Sequence, residues 1–354
     1  MSVSSPSHPS TLRTVFQGLP AAAFLLTAVL LLPVGPDSGP YRTLSIMFAS
    51  IVLEALPFML IGAFVGGLIE AFVSRERMAG LLPRRPLAAI CMAAGLGLIF
   101  PVCECAVVPV VRRLLGKGLP FSAGLAYLLA GPIVNPIVGL STALAYNFDW
   151  EIVALRLGLG YLIAVTIAVI MDRLFPGKTA LSPGLENVTT SSCLCGCEPT
   201  ALLKPFSQVT DAVTTPTVGA KLQQALRHGA ADFLGVGQYL IIGAFVAAAA
   251  QTFVDRSLLL ELAALPVVSI VAMTLLAVAL NLCSEADAFI AASFMGIVPR
   301  PAQMAFMLTG PMFDLKLLLM YQLIFRQRPI IILSILILVL TVSAPIFLWL
   351  GGMA

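Results

Sequence analysis

The sequence predicts an all-α polytopic membrane protein that contains two pseudo-symmetric repeats, and three observations support this fold class. Hydrophobic residues make up 59% of the 354 residues and charged residues only 10%, whereas about 25% of the residues in a soluble domain are charged. Several apolar stretches approach the length of about 20 residues that an α-helix needs to cross a bilayer. Landmarks of the first half also return in the second half. The net charge of +3 is small and does not indicate nucleic-acid binding.

Five segments are predicted along the chain. Residues 1–20 are rich in Ser, Pro and Thr and are expected to form a disordered tail, and residues 21–43 form an extra N-terminal span with its loop. Membrane repeat 1 covers residues 44–171, and membrane repeat 2 covers residues 229–351. Between the repeats, residues 172–228 are polar and rich in Pro, Ser, Thr and Gly, a composition that predicts a flexible loop.

Basic residues predict how the chain is oriented in the membrane. Four arginines lie between residues 75 and 85, and the cytoplasmic loops of membrane proteins carry the excess of Lys and Arg. This rule places residues 75–85 in the cytoplasm, and counting the crossings from there places the polar loop in the cytoplasm as well. We therefore expect a multi-pass protein of the cell (inner) membrane.

The chain is organised around Cys103-Glu104-Cys105, which lies between Pro101 and Pro109 in an apolar stretch. A glutamate near the centre of a bilayer costs at least about 2.5 kcal/mol, so it is expected to have a function and a partner. Proline cannot donate a helical hydrogen bond, and the two prolines predict a break in the helix. The alternative is that both cysteines pack as small apolar side chains, but this leaves Glu104 unexplained.

The helices on either side of this break are too short to cross a bilayer. They cover residues 87–100 and 106–115, so they form either one broken span or a re-entrant hairpin. A single span would place Arg112 and Arg113 outside, opposite the arginines between residues 75 and 85. A hairpin returns both clusters to the cytoplasm, and the charges therefore favour the hairpin.

Three landmarks return in the second half after 179 to 181 residues: Gly62 within Ile-Gly-Ala-Phe-Val as Gly243, Cys103 as Cys283, and Gly131-Pro132 as Gly310-Pro311. In this register Asp314 lies opposite Asn135, and residues 281–287 are the counterpart of the Cys-Glu-Cys break. Three crossings and one hairpin in each half would invert repeat 2 relative to repeat 1, whereas four full spans would make the repeats parallel. We expect the inverted arrangement. The predicted helix breaks are Pro101, Pro109, Gly131, Pro132, Pro136, Gly310 and Pro311.

Paired breaks in the two halves of a transporter indicate its central binding site. Thiols are ligands for soft metals and metalloids, and they release protons when they bind them. Nearby carboxylates can accept these protons and so couple transport to proton movement. The predicted substrate-binding residues are Cys103, Glu104, Cys105, Cys283, Asn135 and Asp314. The predicted proton-coupling residues are Glu104, Glu285 and Asp287.

A second group of thiols lies in the polar loop. Cys193, Cys195 and Cys197 occupy alternate positions, and three such thiols can hold a soft metal ion with two or three ligands. The alternative is a solvated loop whose thiols stay reduced.

Two motifs resemble a known family. The run from Pro101 to Val110 and the run from Ala130 to Pro136 are similar to those of the predicted permease family that includes the ArsP exporters of trivalent organoarsenicals and relatives linked to copper or zinc. The resemblance covers residues 44–350 and implies a permease. Many members carry a small residue between the two cysteines and a glycine after them, where this chain has Glu104 and Ala106. A carboxylate between the thiols favours a cation over a neutral arsenical.

The sequence therefore predicts a permease, not an enzyme, that exports a soft, thiol-binding substrate across the inner membrane in a proton-coupled manner. The substrate is a trivalent organoarsenical or a metal ion such as zinc or copper, and no permanently bound cofactor is expected. One alternative is a membrane subunit of a metal uptake or sensing complex. A less favoured alternative is an intramembrane thiol redox enzyme, which would lack a histidine base near its cysteines. The expected partners are the lipid bilayer, the substrate, and a second copy or an accessory membrane subunit, but no nucleic acid.

Overall fold

The computed structural model describes residues 39–72, 83, 85–175, 180–182, 218–253 and 266–350. Within these ranges the regular structure is helical, and one isolated β-bridge joins Leu181 to Phe325. The predicted tail, nearly all of the extra N-terminal span, and Cys193, Cys195 and Cys197 lie outside the described residues.

The two halves of the chain repeat one order of helices: a long helix, two pairs of short helices, and a second long helix. The first half contains α1 (Gly39–Phe72), α2 (Pro86–Gly95), a 3-10 turn (Leu96–Leu98), α3 (Glu104–Gly116), α4 (Phe121–Ala130), α5 (Pro136–Ala145) and α6 (Trp150–Leu174). The second half contains α7 (Val218–Phe253), α8 (Pro266–Leu280), α9 (Ser284–Ser293), α10 (Arg300–Met312), α11 (Leu315–Tyr321) and α12 (Gln327–Leu350).

Four helical segments of the described residues are long and apolar enough to cross a membrane: Arg42–Leu68, Trp150–Leu174, Arg300–Tyr321 and Gln327–Leu348. Many large apolar side chains on these helices are exposed, among them Leu53, Leu162 and Phe347. Such exposed apolar side chains are stable in contact with lipid, because contact with water would be unfavourable. The predicted class, an all-α polytopic membrane protein, is therefore confirmed.

The break after α2 turns the chain back on itself. Both α2 and α3 pack against α4. Gly97, just after α2, packs against Gly131 at the end of α4. Leu115, near the end of α3, packs against Gly124 near the start of α4. The chain therefore runs inwards along α2, parallel to α4, and returns along α3, antiparallel to α4. This is the path of a hairpin rather than of one broken span.

The next pair of helices, α4 and α5, continues in one direction. Helix α6 packs against both of them. Gly160 of α6 contacts Ile133 between the two helices, and Leu157 of α6 lies beside Gly139 of α5. Thus α6 runs back along α5 and then along α4. The pair α4–α5 is one interrupted crossing, and the pair α10–α11 is its counterpart in the second half.

The equivalent long helices α1 and α7 pack along each other in opposite directions. Phe48, near the start of α1, clusters with Ala244 near the end of α7. Ala63, further along α1, packs against Gly229 near the start of α7. Antiparallel packing of equivalent helices is what an inverted repeat requires, because a two-fold axis in the membrane plane reverses each helix.

Some of the predicted helix breaks are wrong. Pro109 lies inside α3, and Gly310 and Pro311 lie inside α10. A proline removes only its own helical hydrogen bond, and packing against neighbouring helices maintains the rest of the helix. The breaks occur instead at residues 96–103, which contain Pro101, at residues 131–135, which contain Gly131 and Pro132, and at residues 281–283 and 313–314. Pro136 is the first residue of α5, a position where the missing N–H costs nothing.

Candidate functional site

The two hairpins place equivalent cysteines at the starts of two half-helices. Cys103 is the N-cap of α3, with φ −78° and ψ 168°, and Cys283 is the N-cap of α9, with φ −76° and ψ 156°. The nearly identical backbone angles support the alignment of these two cysteines in the two halves. The N-terminus of a helix also favours negative charge, and an acidic residue follows each cysteine within the first turn.

These cysteines line one small cavity, which we call the cysteine cavity. Its volume is about 20 Å³, enough for a water molecule, which needs at least about 10 Å³. The lining residues come from α1, from the two breaks and from α11: Ile51, Glu54, Ala55, Phe58, Cys103, Glu104, Cys105, Asn281, Cys283, Glu285 and Lys316. Four predicted substrate-binding residues, Cys103, Glu104, Cys105 and Cys283, are therefore brought together.

A buried charge network joins the two halves beside this cavity. The Lys316 ammonium lies 3.2 Å from Oε1 of Glu104 and 3.6 Å from Oδ2 of Asp314. The side chains of Lys316 and Glu104 are only 3% and 1% exposed. The other oxygen of Glu104, Oε2, has no hydrogen-bond partner among the described residues. The cation that pairs with Glu104 is thus Lys316, which comes from the other half of the chain.

Asn135 and Asp314 occupy equivalent places as helix caps. Oδ1 of Asn135 accepts a hydrogen bond of 2.9 Å from the Ile137 N–H at the start of α5. Oδ1 of Asp314 accepts one of 2.5 Å from the Leu317 N–H at the start of α11. Asn135 lies outside the cysteine cavity. This capping hydrogen bond satisfies its buried amide oxygen. Asp314 has a second role, because it also contacts the Lys316 ammonium. Its carboxylate accepts a further hydrogen bond from the Asn281 amide when the NH₂ group of that amide faces it.

The predicted proton-coupling residues occupy two different environments. Glu285 lines the cysteine cavity and is half-buried. Asp287 lies deeper, is 1% exposed, and packs against Gly310 of α10. Oδ2 of Asp287 has no hydrogen-bond partner in the described part of the chain. Asp287 is therefore a buried carboxylate with one unused oxygen.

Arg156 of α6 is a second buried cation, and it reaches the hairpin of the second half. Its guanidinium is fully buried, and it donates hydrogen bonds of 2.8 Å to Oγ1 of Thr142 and of 2.7 Å to the Ser284 carbonyl at the start of α9. Its Nε atom has no partner among the residues that the structure describes. A cation of the first half thus holds the hairpin of the second half through the Ser284 carbonyl, as Lys316 of the second half holds Glu104.

The described thiols are free and are not gathered into a preformed metal centre. Cys91, Cys103, Cys105 and Cys283 form no disulfide. Within the described ranges, no group of three or more His, Cys, Asp or Glu side chains is close enough to hold a metal ion. Because the cavity is also small, a substrate larger than one atom would require the hairpins to move apart.

Three residues of this site were not predicted: Lys316, Arg156 and Glu54. Each is an ionisable residue in an apolar helix, and such residues are rare within a membrane and usually functional. An ionisable residue within an apolar stretch is therefore a signal from which these three positions could have been predicted. Their partners were not predictable, because Lys316 and Glu104 are 212 residues apart in the chain.

A second cavity lies beside the start of α10. Its volume is about 270 Å³, and its lining includes Tyr146, Arg300, Gln303, Met304 and Met307. The Tyr146 hydroxyl donates a hydrogen bond of 2.8 Å to Oε1 of Gln303. Asp149 and Arg300 lie 3.9 Å apart at the same end. This cavity contains none of the predicted site residues.

Comparisons with known proteins give consistent results. A family model described as "predicted permease" (ArsP_1) matches residues 41–347. A Bacillus subtilis protein, UPF0718 protein YcgR, is 39% identical over 303 residues, which cover 86% of this chain and 96% of the relative. A Streptococcus mutans protein described as a subunit of a two-component membrane permease complex is 33% identical over 283 residues, which cover 80% of this chain and 87% of the relative. No solved structure matches the chain at a significant level.

Proposed function

Since the chain belongs to the predicted permease family, we propose that it moves a soft, thiol-binding substrate across the membrane through the cysteine cavity. One observation carries this proposal: Cys103, Cys105 and Cys283 line the same cavity, although they come from opposite halves of the chain. The cavity lies where the two hairpin breaks meet. A site at the junction of two related halves can be opened to one side of the membrane and then to the other by rocking of the halves.

The chemistry of the cavity favours a soft metal ion or a metalloid as substrate. Thiols prefer soft ions such as Cu(I) and also bind Zn²⁺, and Glu104 adds a negative charge that favours a cation. A trivalent organoarsenical, which is bound by thiols alone, is the other candidate. Export across the inner membrane, with residues 193–197 in the cytoplasm as a site that collects the substrate, fits both candidates.

We place the proton-coupling role on Asp287 more than on Glu104. Substrate binding to thiols releases protons, and a nearby carboxylate with a free oxygen can take one up. Glu104 and Asp287 each have one oxygen without a partner among the described residues. The other oxygen of Glu104 is held in an ion pair with Lys316 at 3.2 Å, whereas the described residues form no ion pair with Asp287. Glu285, at the cavity surface, is the group through which a proton could pass between Asp287 and the cavity.

A second candidate function is that of one membrane subunit in a two-component permease. The relative in Streptococcus mutans bears such a description. In that case the chain would transport its substrate only when a partner subunit is present.

An accumulation assay tests the main proposal. Cells with and without the chain are exposed to phenylarsenite, Zn²⁺ or copper, and the retained substrate is measured. We expect the chain to lower the retention of at least one of them. The variant Cys105→Ser should abolish this effect, whereas Cys91→Ser, an exposed thiol outside the cavity, should not. Equal effects of the two variants, or no effect of the chain on any of the three substrates, would contradict the proposal.

A further inference from the structure

Lys316 lies where a substrate cation would be expected to bind. Its ammonium is 3.2 Å from Glu104 and lines the cysteine cavity. The α11 helix that carries it is capped by Asp314, and Gly243 of α7 packs directly on the Lys316 backbone. The lysine therefore belongs to a rigid part of the second half, while its carboxylate partner belongs to the hairpin of the first half.

The space that remains beside this pair suits one more ligand. Oε2 of Glu104 is buried and has no partner among the described residues, and the cavity next to it has a volume of about 20 Å³. A cation in this space would contact Oε2 of Glu104 and the cavity thiols, but it would also lie next to the Lys316 ammonium. The two positive charges repel each other in a medium of low dielectric constant.

We infer that Lys316 is a tethered competitor for the substrate: its ammonium occupies Glu104 in the empty site, and a substrate cation must displace it from Glu104 onto Asp314. This inference rests on the proposed function and names the residue that determines which cations the cavity accepts.

Asp314 is suited to receive the displaced ammonium. Its Oδ2 atom is already 3.6 Å from the Lys316 ammonium, and the four-carbon stem of lysine is flexible enough for a small shift. Oδ1 of Asp314 is fixed by the Leu317 N–H, so the carboxylate keeps its place when Lys316 moves. The ammonium would remain paired and buried, and only Glu104 would become available to the substrate.

This exchange makes the cavity selective for soft cations. A hard cation such as Mg²⁺ binds carboxylates but not thiols, so it gains only the carboxylates of the cavity and must overcome the repulsion of Lys316. A soft cation gains bonds to Cys103 and Cys105 as well. A neutral arsenical needs no charge from Glu104 and should be insensitive to Lys316.

Two variants of Lys316 test this inference in the purified full-length chain. Cys91→Ser, Cys193→Ser, Cys195→Ser and Cys197→Ser are introduced in every protein, so that only the cavity thiols bind the probe. Lys316→Met removes the ammonium and keeps the apolar stem. Lys316→Arg keeps the charge, and its planar guanidinium binds the Glu104 carboxylate more strongly than the lysine ammonium does. The probes are Cd²⁺ as a soft cation, Mg²⁺ as a hard competitor, and phenylarsine oxide as a neutral arsenical.

We expect Lys316→Met to bind Cd²⁺ about tenfold more tightly than the parent and to lose Cd²⁺ to millimolar Mg²⁺, which should not affect the parent. Lys316→Arg should bind Cd²⁺ about threefold more weakly or worse, and the affinity for phenylarsine oxide should stay within about twofold in all three proteins. A Lys316→Met variant that gains no Cd²⁺ affinity would overturn the inference. If that variant does not fold, unchanged Cd²⁺ affinity in Lys316→Arg would overturn it. A parent that binds neither Cd²⁺ nor phenylarsine oxide would instead contradict the proposed function.

Discussion

The charged residues inside the helix bundle define the site as much as the cysteines do. Lys316 of the second half pairs with Glu104 on the hairpin of the first half. Arg156 of the first half donates a hydrogen bond to the Ser284 carbonyl on the hairpin of the second half. Each hairpin is therefore held by a buried cation of the other half.

A first prediction concerns Arg156. Arg156→Met should destabilise the protein by about 1–3 kcal/mol, because it leaves the buried Thr142 hydroxyl and the Ser284 carbonyl without their hydrogen-bond donor. Thr142→Val in the same chain should add less to this loss than it costs alone, since the partner of the hydroxyl is already gone. Thermal unfolding of the purified variants measures both effects. A double variant whose loss equals the sum of the two single losses would show that the two side chains do not stabilise each other.

A second prediction concerns protons. Asp287→Asn keeps the size of the side chain but cannot carry a proton, so transport by this variant should continue with a weaker dependence on pH. Transport rates in vesicles over a range of pH values measure this, with Glu104→Gln as the comparison. An unchanged pH profile in Asp287→Asn at normal protein abundance would assign proton coupling to another residue.

At the scale of helices, the sequence is enough to locate the two hairpin breaks, but it does not show which prolines interrupt a helix. The Cys-Glu-Cys segment and the landmarks repeated after about 180 residues identified both hairpins. Pro109 and Pro311 were mistaken for breaks because a proline alone does not reveal whether neighbouring helices maintain the helix around it. The contacts of Lys316, Arg156 and Glu54 could not be derived, since they depend on how separate helices pack.

A third prediction concerns the way α7 packs on α11. A Cβ atom at Gly243 would lie 2.8 Å from the Lys316 backbone, whereas no atom lies within 4 Å of a Cβ at Gly235 on the same helix. Gly243→Val should therefore lower stability by about 1–3 kcal/mol through overpacking and impair transport. Gly235→Val is the matched control, with the same loss of glycine in the same helix. Equal thermal stability of the two variants would contradict this packing.

At the scale of the whole molecule, the equivalent helices α1 and α7 pack antiparallel, which is the arrangement that inverted halves require. Each half contributes one hairpin, and the breaks of the two hairpins meet at the cysteine cavity. This arrangement explains why a single cavity is lined by equivalent residues such as Cys103 and Cys283. The site is therefore a product of the repeat, and no single helix contains it.

A fourth prediction tests this arrangement. In a chain whose native cysteines are replaced by serine, Phe148→Cys and Arg300→Cys should react with a membrane-impermeant maleimide from outside the cell, because the inverted halves place both positions at one end. Arg328→Cys should react only after the membrane is permeabilised. In a parallel arrangement, in which α8 and α9 together cross the membrane, Phe148→Cys and Arg300→Cys would lie on opposite sides. Reaction of only one of these two variants from outside the cell would therefore contradict the inverted fold.

X-ray absorption at the arsenic edge tests most directly whether Cys103, Cys105 and Cys283 bind the substrate together. The sample is the purified chain loaded with phenylarsine oxide and carrying serine at positions 193, 195 and 197. We expect sulfur ligands to arsenic in this protein and in its Cys91→Ser variant. We expect these ligands to be lost when Cys103, Cys105 and Cys283 are all replaced by serine. Retention of the same arsenic–sulfur signal in that triple variant would show that the three cysteines do not bind the substrate.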